Sequence, residues 1–150
     1  MKLVFGGLIA VILLGLYVYS VLFAISVVTC ISRPGCSALT AASFTDGFGS
    51  TMTTVGGLVS ALVIAELAIT KPGEAPVARA LAARASARAT GTLKALTGAY
   101  LLVWVIVGLA AYVVGAMWYP GTLKPLTDLG QSWLGLAVAA AYAYFGVNQT

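Results

Sequence analysis

The sequence contains no histidine and few charged residues of either sign. Only 8% of its 150 residues are charged, with 8 basic and 4 acidic side chains. The absence of histidine excludes histidine-ligated haem, the commonest zinc and copper sites and most catalytic-base schemes. Neither a paired nucleophile and base nor a glycine-rich phosphate loop is visible, and the basic residues are too few to indicate nucleic acid. We therefore expect no enzyme, no cofactor, no metal site and no nucleic-acid partner.

Long apolar runs dominate the composition. Hydrophobic residues make up 61% of the chain, against roughly 45–50% apolar residues in soluble domains. A helix needs about 20 consecutive apolar residues to cross a lipid bilayer. We expect one all-α membrane domain over residues 1–150 with four such helices, at 3–29, 47–70, 95–118 and 129–147. The first run is longer than the roughly 7–15 apolar residues of a signal peptide and lacks a cleavage site, which predicts a retained helix.

Basic residues concentrate in the connection between the second and third runs. Lys71, Arg79, Arg84, Arg88 and Lys94 flank or occupy it, whereas the other two connections contribute little positive charge. Because cytoplasmic loops carry an excess of Lys and Arg, we expect this connection and both termini to lie in the cytoplasm of a multi-pass cell-membrane protein. The four helices would then form two antiparallel hairpins.

The basic connection is also rich in alanine, which favours helix. It predicts a cytoplasmic extension of the third helix. Its Arg79, Arg84, Arg88 and Lys94 either set the topology or contact anionic lipid headgroups. Glu66 lies at the inner end of the second run, where it either pairs with a nearby basic residue or serves as an intramembrane ion site.

The stretch CISRPGC contains both cysteines, Cys30 and Cys36. The predicted topology places it on the outer side, where disulfides persist. A Pro-Gly turn between two cysteines can bring them within bridging distance. A disulfide would pin the outer connection. The alternative is two independent thiols, with Cys30 buried in the first helix.

The two predicted outer connections share a pattern. RPGCSALTAASFTDGFGS and YPGTLKPLTDLGQS both carry Pro-Gly and then Thr-Asp before an apolar run, which indicates either an internal duplication or a common turn chemistry. We expect Thr45–Asp46 and Thr127–Asp128 to cap the following helices, because their oxygens can accept the free amides of a first turn. Trp118 and Trp133 are expected in the aromatic belts at the membrane interfaces.

The stretch TMTTVGG resembles the opening of the potassium-channel filter TTVGYG, in which backbone carbonyls replace the hydration shell of the ion. The resemblance ends at Gly57 and Leu58, which stand where the filter has Tyr and its second Gly. The 58–70 segment would rise only about 20 Å as a helix, against roughly 30 Å of hydrocarbon. We therefore expect a continuous helix in which Thr51 and Thr54 return their hydroxyls to backbone carbonyls.

Small residues recur every four positions along the second helix. They are Gly49, Thr53, Gly57, Ala61 and Ala65, with Gly56 beside them. Gly135 and Ala139 repeat the spacing on the fourth helix. Because small side chains let helix backbones approach closely in a membrane, these residues are predicted to pack against neighbouring helices.

Three functions are compatible with these features. The first is a non-catalytic oligomeric or accessory subunit of a membrane assembly, with copies of itself or other membrane subunits as partners. The second is a homo-oligomeric ion channel or transporter, with a path along Thr53, Thr54, Ser60 and Glu66. The third is a holin-like pore former, suggested by the small size and the basic inner segment.

Overall fold

The computed structural model describes residues 2–69 and 87–145. Within these residues the fold has four long helices and no strand, so the all-α prediction is confirmed for them. A 3₁₀ turn at Ala41–Ser43 precedes the second helix. The helices are α1 (Lys2–Ile31), α2 (Asp46–Ile69), α3 (Ala87–Tyr112, continued by the π-helical turn Val113–Trp118) and α4 (Lys124–Phe145).

Three stretches of the described chain are long and apolar enough to cross a membrane. They are Gly6–Ile31, Asp46–Ala65 and Ala95–Trp118. They overlap the first three predicted spans. A fourth crossing stays a prediction, because α4 opens with Lys124 and Asp128 and is not among these stretches. Residues 73–86, which make up most of the predicted basic extension, lie outside the described residues.

The second helix is α-helical from Asp46 to Ile69 without interruption. Thr45 caps it as predicted, because Phe48 N donates to Thr45 Oγ1 at 3.2 Å. The hydroxyls of Thr51 and Thr54 donate to carbonyls of the preceding turn at 2.8 and 2.9 Å, also as predicted. The filter-like stretch is therefore ordinary helix, and its backbone carbonyls are not aimed at a pore axis.

The fourth helix begins earlier than predicted, and the expected Thr127–Asp128 cap is wrong. The helix starts at Lys124, because Pro125 is tolerated in a first turn that needs no backbone donor. Thr127 consequently lies inside that turn, and its hydroxyl donates to Gly115 O at 2.7 Å. Asp128 forms an ion pair with Lys124 at 2.9 Å.

The end of α3 widens into a π-helical turn next to Pro120. Tyr119 N donates to Val114 O, five residues earlier, at 3.0 Å. The same spacing would require Pro120 N to reach Gly115 O, but proline has no N–H. The Thr127 hydroxyl takes that free acceptor. This bond ties the end of α3 to the start of α4.

Glycines set the close approach of α3 and α4. A β-carbon at Gly130 would lie 2.7 Å from Tyr112 Cα and 2.9 Å from Tyr112 N, so the two backbones touch there. A β-carbon at Gly108 would overlap the indole of Trp133. Trp133 is therefore buried, with its ring 5.7 Å from that of Trp104. Its predicted place in an interfacial belt is wrong, because Gly108 leaves room for it in the core.

One apolar core joins all four helices. Its largest fully buried side chains are Tyr17, Val21, Val27, Val28, Met52, Val59, Val63 and Leu126. Large apolar side chains also cover the outer surface, where Leu102 and Ile106 are 61% and 58% exposed. Apolar residues on both the inner and the outer side of the helices are typical of chains surrounded by lipid.

The Cys30–Cys36 pair lies at disulfide distance, with the two Cα atoms 5.4 Å apart. Gly35 between them has φ +91°, a left-handed conformation that glycine adopts without strain. The geometry favours the bridged alternative over two independent thiols. The first turns of α2 and α4 lie at the same end of the molecule, since Gly49 packs on Pro125. We call this end, with Cys30 and Cys36, the disulfide end.

Candidate functional site

The predicted packing residues divide into a buried and an exposed set. Gly49 and Gly56 are buried against α4, where β-carbons on them would lie 2.9 Å from Pro125 Cγ and 2.6 Å from Leu129 Cδ1. The others are exposed on this chain, namely Gly57, Ala61 and Ala65 of α2 and Gly135 and Ala139 of α4. We call the row formed by Gly57, Ala61 and Ala65 the α2 line.

A cleft of about 260 Å³ lies between α1, α2 and α4. Glycine and apolar side chains form much of its wall. Its side chains with polar atoms are Tyr17, Thr53, Ser60, Asp128, Ser132 and Trp133. We call it the hydroxyl cleft. It brings together Thr53 and Ser60 of the predicted path, whereas Thr54 is exposed and does not line it.

Two of the hydroxyl groups in the cleft already have partners. Thr53 Oγ1 donates to Gly49 O at 3.2 Å and to Ser50 O at 2.9 Å. Ser60 is 3% exposed and accepts a hydrogen bond from Trp104 Nε1 at 3.0 Å. Thr53 can therefore offer a ligand only its oxygen lone pairs, while the Ser60 oxygen is oriented by α3.

Two buried polar atoms of the cleft lack a hydrogen-bond partner among the described residues, namely Trp133 Nε1 and Tyr17 Oη. Tyr17 is the more deeply buried of the two residues, at 1% exposed. Burying a hydroxyl without a partner is costly, so such a group in a native fold requires an explanation. Sequence reasoning missed Tyr17, because a tyrosine within an apolar run has the same local pattern whether it lines a cavity or fills the core.

Asp128 stands where the cleft meets the disulfide end. Its side chain is 50% exposed, and its partner Lys124 is 82% exposed. An ion pair this exposed contributes little to stability. The carboxylate therefore marks the polar mouth of the cleft.

Several predicted site residues fall outside what the structure describes. Arg79 and Arg84 lie outside the described residues, and the side chains of Glu66, Arg88 and Lys94 do as well. Within the described chain no three His, Cys, Asp or Glu residues are grouped so as to hold a metal ion.

A second cavity, of about 370 Å³, is lined mainly by apolar residues. It includes Tyr100, whose Oη is also without a described partner.

The described residues form an all-helical fold in which three helices are apolar enough to cross a membrane, which is the composition of a membrane protein. No protein-family model matches the chain, and searches of curated proteins and of solved structures find no similar protein.

Proposed function

We propose that the chain is a non-catalytic integral membrane subunit that associates with copies of itself or with other membrane subunits through the α2 line. The observation that carries this proposal is the exposure of Gly57, Ala61 and Ala65, each one turn from the next. In lipid, glycine and alanine expose the helix backbone to close contact with another helix. Within the chain, Gly130 already joins α4 to α3 in this way.

The proposed arrangement has four membrane crossings in two antiparallel hairpins, with both termini in the cytoplasm. Two contacts between α3 and α4 support this arrangement. Gly115, late in α3, contacts Leu126, early in α4, whereas Tyr112, earlier in α3, contacts Gly130, later in α4. This order is that of two antiparallel helices. With both termini in the cytoplasm, the disulfide end would face the outer compartment, and an oxidising outer compartment suits the cysteine pair. In this orientation the basic connection, with its extension of α3, would meet anionic headgroups of the inner leaflet.

The mass of the purified particle in detergent tests this proposal. We expect more than one chain, or one chain with a foreign subunit. Gly57→Leu should reduce the particle to a single chain, since a β-carbon at Gly57 meets no atom within 4 Å and the fold should tolerate the change. Leu102→Ala, at an exposed position on α3, is the matched control and should leave the mass unchanged. A single wild-type chain without any partner would contradict the proposal.

A channel or transporter is the second candidate, and the hydroxyl cleft is the observation that favours it. Thr53 and Ser60, both on the predicted path, line this cleft together with Asp128. Under this proposal the purified chain in liposomes passes ions, and Glu66→Gln reduces the flux. Liposomes that pass no ions would leave the subunit role as the better account.

A further inference from the structure

The hydroxyl cleft contains a hydrogen-bonding group that the described residues leave without a partner. Tyr17 is 1% exposed, and its Oη makes no hydrogen bond to any described residue. Because α1 runs from Lys2 to Ile31, Tyr17 lies close to the middle of a helix long enough to cross the membrane. Polar groups at that depth are normally found where they face other protein groups or a water-filled cavity.

The cleft has the room and the lining that water requires. Its volume is about 260 Å³, whereas one water molecule occupies about 30 Å³ in the liquid and needs roughly two to four polar partners when buried. Thr53, Ser60 and Ser132 add hydroxyl oxygens to that of Tyr17, and Asp128 adds a carboxylate at the mouth. Water entering beside Asp128 would find a polar partner at each level of the cleft.

We propose that the hydroxyl cleft is a hydrated vestibule, in which water and small hydrophilic solutes enter beside Asp128 at the disulfide end and reach Tyr17 near the middle of the membrane. The Tyr17 Oη is covered by protein in the described geometry, so a local displacement must admit this water before it can supply the hydrogen bond that Tyr17 lacks. Gly57 keeps the passage wide, because it lines the cleft and a β-carbon there would meet no atom within 4 Å.

The vestibule does not depend on the proposed assembly. A helix seated on the α2 line would meet the cleft only at Gly57, since Ala61 and Ala65 do not line it. Its mouth at Asp128 would stay open to water in an isolated chain and in an oligomer alike. The two proposals can therefore fail separately.

Cysteine labelling in liposomes tests the vestibule on the full chain, diluted in lipid to single copies. The sequence has 2 cysteines, and both are paired, so one introduced cysteine is the sole free thiol. The probe is trimethylammonium-ethyl methanethiosulfonate, supplied on both sides of the membrane. This permanent cation stays in water, and the thiolate that it attacks forms in water and not in hydrocarbon.

Two matched pairs of variants compare positions of similar depth on different sides of a helix. Gly57→Cys and Ser132→Cys line the cleft, whereas Leu58→Cys and Leu134→Cys lie outside it at positions that are 49% and 41% exposed. We expect each cleft variant to be labelled at least about tenfold faster than its partner, because only its thiol meets water. Complete labelling in denaturant normalises each rate.

Equal rates within both pairs would overturn the proposal, because they would mean that the cleft is dry. Fast labelling of Ser132→Cys with slow labelling of Gly57→Cys would overturn it as well, since water would then stop short of Tyr17. Fast labelling at both cleft positions supports it, whatever the mass of the particle in detergent.

Discussion

The contact between Gly130 and Tyr112 gives the sharpest test of how the helices pack. In Gly130→Ala the new β-carbon would lie 2.7 Å from Tyr112 Cα, against 3.4 Å for the shortest ordinary contact, a deficit of 0.7 Å. Its three nearest neighbours, Tyr112 Cα, Tyr112 N and Ala111 C, are all backbone atoms. No side-chain rotation can relieve the overlap, so α3 and α4 must move apart.

The cost follows from two opposing effects. Overpacking a well-packed site costs about 1–3 kcal/mol, and a backbone clash belongs at the upper end of that range. Replacing glycine by alanine in a helix returns about 1 kcal/mol. We therefore expect Gly130→Ala to lower the free energy of unfolding by about 2 kcal/mol. The change should appear as weakened packing between α3 and α4.

Gly135→Ala, on the same helix, is the matched control. A β-carbon at Gly135 meets no atom within 4 Å, so only the helix-propensity gain of up to about 1 kcal/mol remains. Unfolding in mixed detergent and SDS, followed by the fluorescence of buried Trp133, measures both variants. The two should differ by about 3 kcal/mol with opposite signs. Equal stabilities, or a stabilised Gly130→Ala, would mean that the two backbones do not meet.

Three further predictions use the same unfolding measurement. Cys30→Ser should lower the unfolding free energy by about 2 kcal/mol, because the bridge restricts a short loop in the unfolded chain. Ser60→Ala should cost about 1–3 kcal/mol, because buried Trp104 Nε1 loses its acceptor. Thr127→Val should cost about 1–2 kcal/mol, because Gly115 O loses its donor. Faster amide hydrogen exchange in the π-helical turn should accompany this last change.

Controls separate these effects from general damage. Dithiothreitol should weaken the native protein and leave Cys30→Ser unchanged. Ser50→Ala and Thr122→Val alter exposed positions and should change the unfolding free energy by less than about 0.5 kcal/mol. If Ser60→Ala matches Ser50→Ala in stability, the indole of Trp104 has another partner. Normal exchange in Thr127→Val would place the stabilisation of the π-helical turn elsewhere.

The starts of α2 and α4 at the disulfide end show which helix boundaries can be predicted from neighbouring residues in the sequence. Thr45 could be predicted as a cap because the amide that it binds lies three residues away in the chain. The same Thr-Asp pair at Thr127 misleads, because its hydroxyl bonds to Gly115, twelve residues earlier. The carbonyl of Gly115 is available only because the π-helical turn meets Pro120. A nonlocal partner therefore overrode a local capping pattern.

The small residues of α2 also show the difference between what local spacing predicts and what the fold decides. Their spacing predicts a stripe but treats Gly49, Gly56 and Gly57 as equivalent. In the fold the first two are buried against α4, and Gly57 lines an open cleft. No regular spacing singled out Gly108 and Gly130, yet a β-carbon at Gly108 would overlap Trp133 of α4 and one at Gly130 would meet the backbone of α3.

By itself, the sequence determined that the chain is helical and largely apolar, where α2 begins and which cysteines can meet, because these properties depend on neighbouring residues along the chain. Only the tertiary structure decided which glycines touch another backbone and that Tyr17 shares a cleft with Ser60 and Asp128. Those contacts depend on how each helix is rotated and placed against the others, and residue spacing within one helix does not specify that rotation.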